Sequence, residues 1–143
     1  MKSWPRKRSK YGNKEKCDPC SYGFSHRSKL ELEVCNQIAW MERAGEVRML
    51  GHEVRLVFPC KECGEKVIYI PDFKVQNLKT GEIYFIEAKG FETDKWPKVK
   101  RAWKRAGPGR LEIYKGKYQS PQLAETIIPD HRAQDEEACA VTA

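Results

Sequence analysis

At 143 residues, with 40% hydrophobic and 33% charged residues, the chain suits one globular domain around a single core. Its longest apolar runs, at 67–70 and 83–86, fall far short of the ~20 residues of a membrane helix, so no spanning segment of that kind is expected. The net charge of +7 favours a polyanionic partner, nucleic acid being the usual one, over a merely solubilising surface.

That charge is unevenly placed. Residues 1–16 carry Lys2, Arg6, Lys7, Arg8, Lys10, Lys14 and Lys16 against Glu15, with few apolar groups, and read as a flexible basic arm. No apolar stretch follows Met1 and Lys2 as a secretory signal requires, so the protein is expected to stay in the cytoplasm. Residues 17–128 are expected to form the folded domain, opening on Cys17-Asp18-Pro19-Cys20.

Residues 28–44 predict a helix. Leu30, Val34, Ile38 and Met41 form one apolar stripe at helical spacing, Ser28 can cap it with Glu31 three positions on, and Gly45 ends it. Residues 48–58 read as one or two strands, broken near Gly51 and His52, and Pro59-Cys60-Lys61-Glu62-Cys63-Gly64 reads as a tight knuckle. The β-branched and aromatic run at 67–70 predicts a strand that 72–76 continues past Pro71. Residues 77–81 then turn the chain, and 82–89 return as a hairpin partner. A second helix is expected from a cap at Asp94 to about 106, with Pro97 in its first turn and Gly107-Pro108-Gly109 stopping it. Residues 111–114 add a strand, and the acidic tail at 129–143 is expected to be disordered. Helix, strands, hairpin, helix and strand make a mixed α/β domain.

In the second helix Trp96, Val99 and Trp103 share a face and read as core. Lys98, Arg101, Lys104 and Arg105 fall between them. Together with Arg6, Lys7 and Arg8 they are the expected contacts to DNA phosphates, giving affinity without reading sequence.

The chemistry concentrates in Pro71-Asp72 and Glu87-Ala88-Lys89. Glu87 and Lys89 are two apart, so in a strand they share a face. Each acid follows an apolar run, where an unpaired charge is costly. A hairpin would bring Asp72 beside Glu87. Two close carboxylates repel unless a divalent cation joins them, and hard oxygen ligands suit Mg²⁺. Such an ion with a nearby lysine is what phosphodiester hydrolysis needs. The plain alternative is a surface hairpin with a cross-strand Lys–Glu pair.

Cys17, Cys20, Cys60 and Cys63 form two Cys-x-x-Cys pairs that would give a structural zinc knuckle, an iron–sulfur cluster being the alternative. Cys35 reads as a small core residue and Cys139 as an inert tail thiol. His26, His52 and His131 show no ligand spacing and read as surface residues, with His26 a candidate phosphate contact.

Ser28-Lys29-Leu30-Glu31, Tyr69-Ile70-Pro71-Asp72-Phe73 and Glu87-Ala88-Lys89-Gly90, in that order, resemble the PD-(D/E)XK nuclease superfamily. More narrowly they are similar to the phage endonuclease I family of Holliday-junction resolvases. The resemblance spans roughly residues 24–115. It implies a restriction-endonuclease-like fold, with a mixed central sheet flanked by helices. It implies Glu31, Asp72 and Glu87 around Mg²⁺ or Mn²⁺, with Lys89 assisting the attacking water. It further implies a homodimer that cuts branched DNA in phage recombination or DNA processing, in the host cytoplasm. The cysteine pairs depart from that family. Two other readings remain: a nuclease for ordinary duplex, nicked or single-stranded DNA, and a non-catalytic zinc-stabilised DNA-binding module. On a helical wheel with Leu30 at zero, Glu31 falls at ~100°, inside the apolar arc and so toward the sheet that carries Asp72 and Glu87, and Glu33 at ~300°, on the polar side.

Overall fold

The structure is a computed structural model that describes residues 20–59, 66–117 and 119–130. The basic arm with Arg6, Lys7 and Arg8, the residues Cys17, Cys60 and Cys63, and the tail from 131 lie outside them.

Helix α1 (Lys29–Arg43) starts where the sequence predicts. The Ser28 side chain accepts a hydrogen bond from the Glu31 N–H at 3.1 Å, satisfying one of the free donors of the first turn. The helix buries Leu30, Val34, Cys35, Ile38 and Ala39, so three of the four predicted stripe residues are buried, Met41 is only partly so, and two small residues widen the face. It stops at Ala44, and Gly45 follows with φ of 77°, a conformation glycine adopts without steric cost.

Seven strands follow: β1 (Val47–His52), β2 (Leu56–Pro59), β3 (Lys66–Tyr69), β4 (Phe73–Asn77), β5 (Ile83–Ala88), β6 (Leu111–Lys115) and β7 (Gln122–Ile127). Helix α2 (Trp96–Ala106) lies between β5 and β6. Five strands make a mixed central sheet in the order β1-β4-β5-β6-β7. β4 is antiparallel to both of its neighbours, β1 and β5; β5 and β6 are parallel, and β7 is antiparallel to β6. The parallel pair requires a crossover, and α2 is that crossover. β2 and β3 pair only with each other, Phe58 opposite Val67.

Three expectations need correction. Residues 67–76 are not one strand: β3 belongs to the small hairpin and β4 to the central sheet, with the chain changing sheets at Ile70-Pro71-Asp72. Pro71 has no N–H to donate to a ladder, so the break falls where pairing is weakest. Asp94 does not cap α2. The cap position is Lys95, with no side-chain hydrogen bond, while Pro97 does sit in the first turn. β7 was not anticipated, because its mostly exposed positions show no alternation of apolar and polar residues.

The sheet has a different core on each face. α1 covers Phe73, Val75, Tyr84 and Ile86. The other face packs Phe85, Leu111 and Ile113 against Trp96 and Trp103 of α2 and against Leu56, Phe58, Val67 and Tyr69 of the small hairpin. β5 is central, and from Tyr84 to Ala88 it is buried at every position, which explains its continuous apolar run. Trp103 is fully buried, and its Nε1–H donates to the Gly109 carbonyl at 2.8 Å. A side chain at Gly109 would collide with the Ile83 carbonyl, at 2.7 Å from the added Cβ, so the turn into β6 needs glycine.

Candidate active site

Asp72 occupies the last position before β4, at the point where the chain leaves the small hairpin. Its carbonyl accepts the Glu53 N–H at 2.9 Å. Its carboxylate Oδ2 accepts the Ala88 N–H at 2.8 Å, and the Asp72 N–H donates to Glu87 Oε2 at 3.2 Å. Each acid is thus tied to the backbone of the other's strand. Rotation of either side chain would break a hydrogen bond, so both are held in place before anything binds.

Lys89 follows β5 directly. Its Nζ lies 3.8 Å from Glu87 Oε1 and 4.4 Å from the centre of the Trp96 ring. Glu31 reaches the site from the first turn of α1, its side chain 16% exposed. Glu33, two residues on, is only partly buried. Tyr69 is buried beside Glu87, its hydroxyl without a well-aligned hydrogen bond, and burial raises its pKa.

Asp72 and Glu87 are 9% and 7% exposed, the two buried carboxylates among the described residues. Burial, and then the charges of Glu87 and Glu31, hold Asp72 well above the usual carboxylate range. Burial pushes Glu87 up to about 7, with Lys89 and the Asp72 N–H opposing the shift. Burial also raises Glu31, against the Arg27 backbone amide that favours its charged form. Lys89 opposes the charges of Asp72 and Glu87, Arg27 that of Glu31, and the donor set is oxygen only. That chemistry fits a hard divalent cation, whose charge would relieve both the burial cost and the mutual repulsion. Their ligand atoms do not all lie within 4.8 Å of one another, as those of Cys20, His26 and Cys35 do.

A pH dependence follows. A carboxylate whose pKa is raised on folding binds more protons folded than unfolded, so its stabilising contribution is complete below ~4.5 and is lost as pH rises through about 7. For Glu87 the loss is at most about 3 kcal/mol, at about 1.4 kcal/mol per pKa unit. Metal-free wild-type protein should lose melting temperature between pH 5 and pH 8 relative to Glu87→Gln, and Mg²⁺ at pH 8 should restore it in the wild type alone. Calorimetric melting across that range checks this. Parallel profiles for the two proteins, with or without Mg²⁺, would refute it.

On the outer side of α2, Lys98, Arg101, Lys104 and Arg105 are all exposed. Two other basic residues of this region are occupied elsewhere. Lys100 pairs with Glu125 of β7 at 2.7 Å, and Arg110 lies over the Tyr84 ring and near Glu82 and Glu112. Trp96 and Trp103 are core residues, as their spacing predicts.

The histidine expectation is overturned. His26 is 2% exposed and packed among Phe24, His52 and Phe73, so it cannot serve as a surface phosphate contact. His52 is half-buried and stacked on Phe24 with ring centres 4.5 Å apart. Burial lowers the pKa of both, favouring the neutral rings. Cys35 is buried as expected, but its Sγ lies 3.3 Å from the Cys20 Sγ, and these two with His26 form a compact group that could hold a metal ion. Of the four cysteines expected to share a zinc, Cys20 alone is described. It packs on the α1 face of the sheet, whereas β2 and β3, which flank Cys60 and Cys63, pack on the α2 face. Nothing in the spacing of the cysteine pairs points to Cys35. The available signal was its position beside Val34, at the edge of the apolar stripe.

No described helix is long and apolar enough to cross a membrane. No family model matches the chain, and no curated protein matches it.

Proposed function

We propose that this protein is a Mg²⁺- or Mn²⁺-dependent DNA endonuclease of the PD-(D/E)XK type, with a restriction-endonuclease-like fold. The observation that carries the reading is the reciprocal tie between Asp72 and Glu87 across β4 and β5, with Lys89 at the end of the same strand. Buried acids of raised pKa, fixed by backbone amides and served by one amine, make a poor structural device and a good cation site. Asp72, Glu87 and Glu31 would hold the ion. When bound, it supplies charge neutralisation at a phosphate and a water of lowered pKa. Lys89, restrained between Glu87 and the Trp96 ring, orients the attacking water or donates to the developing charge on the phosphate oxygens. The exposed Lys98, Arg101, Lys104 and Arg105 supply affinity for the backbone, with the basic arm adding to it.

Within this reading the substrate is branched DNA of the Holliday-junction kind, cut by a homodimer that places one active site on each of two strands. The test is one purified preparation with Mg²⁺ against junction, flap, linear duplex and single-stranded DNA. Preferential cutting of the junction is the expected result. Equal cutting of linear duplex would replace the junction with ordinary DNA as substrate. Binding without cutting of any substrate, in Mg²⁺ and in Mn²⁺, would leave a DNA-binding module and no nuclease.

A further inference from the structure

Away from the acidic site, the segment entering α1 holds a second unusual group. Cys20, His26 and Cys35 are buried to 8%, 2% and 0% exposure, and their ligand atoms all lie within 4.8 Å of one another. Three different parts of the local chain supply them: Cys20 opens a turn closed by the Gly23 N–H, His26 lies in an isolated bridge just before the helix, and Cys35 is in the second turn of α1. Both ring nitrogens of His26 are buried without a hydrogen-bond partner. An imidazole hidden with neither nitrogen satisfied is costly, and natural interiors rarely leave one so. Two soft sulfurs and an imidazole at this separation supply three of the four positions of a tetrahedral zinc site, and they suit zinc better than the hard cations matched to the carboxylates.

We propose that Cys20, His26 and Cys35 bind a structural Zn²⁺ as three of its ligands. Cys17, Cys60 and Cys63, the other cysteines expected from sequence to share a zinc, lie outside the described residues. The site has a structural consequence. His26 Nδ1 faces Glu31 Oε2 at 3.8 Å. An ion held through Nε2 would leave Nδ1 free to be oriented by that carboxylate, as acids commonly orient metal-bound histidines. The zinc therefore clips residues 20–28 onto α1 and holds the start of the helix, with Glu31, against the sheet. The ion's presence does not depend on the nuclease reading; only the role of Glu31 does.

Elemental analysis of the full chain should find one zinc per molecule, retained by a Cys60→Ser, Cys63→Ser double variant and lost from Cys35→Ser. Replacement by Co²⁺ should give thiolate-to-metal charge-transfer absorption that the double variant keeps. Because Cys35→Ser could fail to fold, the wild-type chain offers an independent measurement: alkylation of each cysteine, mapped by mass spectrometry, with and without a strong chelator. Cys20 and Cys35 should gain reactivity on chelation, by about tenfold or more, and melting should fall as zinc leaves. Chelation that instead exposes Cys60 and Cys63, an iron content in place of zinc, a Cys20–Cys35 disulfide, or a metal-free chain of unchanged melting temperature would each overturn the assignment.

Discussion

Asp72→Asn and Glu87→Gln should each lower the rate of DNA cleavage by about 10³-fold or more, and Lys89→Ala by about 10²–10³-fold, with DNA affinity changed by less than about threefold. The two amide variants remove charge and little else. Asparagine keeps an oxygen to accept the Ala88 N–H, and glutamine keeps one to accept the Asp72 N–H, so the tie between the strands survives. Replacing a buried acid of raised pKa by its amide should, if anything, stabilise the metal-free protein. A loss of activity therefore cannot be ascribed to unfolding, and melting curves run beside the assay will show this. Affinity should persist because the exposed cations of α2 lie on elements that these substitutions leave untouched. Normal cutting by any two of the three variants would remove the active-site assignment.

Glu31→Gln should reduce cleavage by about 10²-fold or more while Glu33→Gln cuts normally, both melting within a few degrees of the wild type. The two acids share one helix and differ by two positions, about 200° around it. The competing account of Glu31 is that it only caps α1. The hydrogen bonding separates the two accounts. Ser28 Oγ accepts from the Glu31 backbone N–H, a bond that glutamine leaves intact, so Glu31→Gln should not cost the ~1 kcal/mol of a lost cap. The Glu31 charge is felt by both Asp72 and Glu87, which a carboxylate pointing to solvent would not achieve. Single-turnover rates on the preferred substrate, with parallel calorimetry, check this. Should Glu33→Gln prove the inactive one, or Glu31→Gln cut at the wild-type rate, the helix serves the site in another way.

Local periodicity and short-range chemistry were legible without coordinates. The 3.6-residue stripe of Leu30, Val34 and Ile38, the Ser28 cap, the Asn77–Gly81 turn and the buried face of α2 each depend on residues within a few positions of one another. The same holds for Glu87 and Lys89, whose spacing of two places them together on any strand. Asp72 could be brought beside Glu87 because a short hairpin joins them, and Phe73 does pair with Ile86.

What tertiary structure decided is everything that joins segments distant along the chain. Nothing local distinguishes a continuous run at 67–76 from two strands in separate sheets, because partner choice depends on which edge is free. β7 exists because the far edge of β6 offers unpaired backbone groups, which its own composition does not announce. The pKa shifts of Asp72 and Glu87 come from burial by both layers and from Glu31, some forty residues earlier than Asp72. The thiol of Cys35 meets Cys20 and His26 for the same reason. A helix fixes which side chains share a face, but only packing fixes what that face is turned toward.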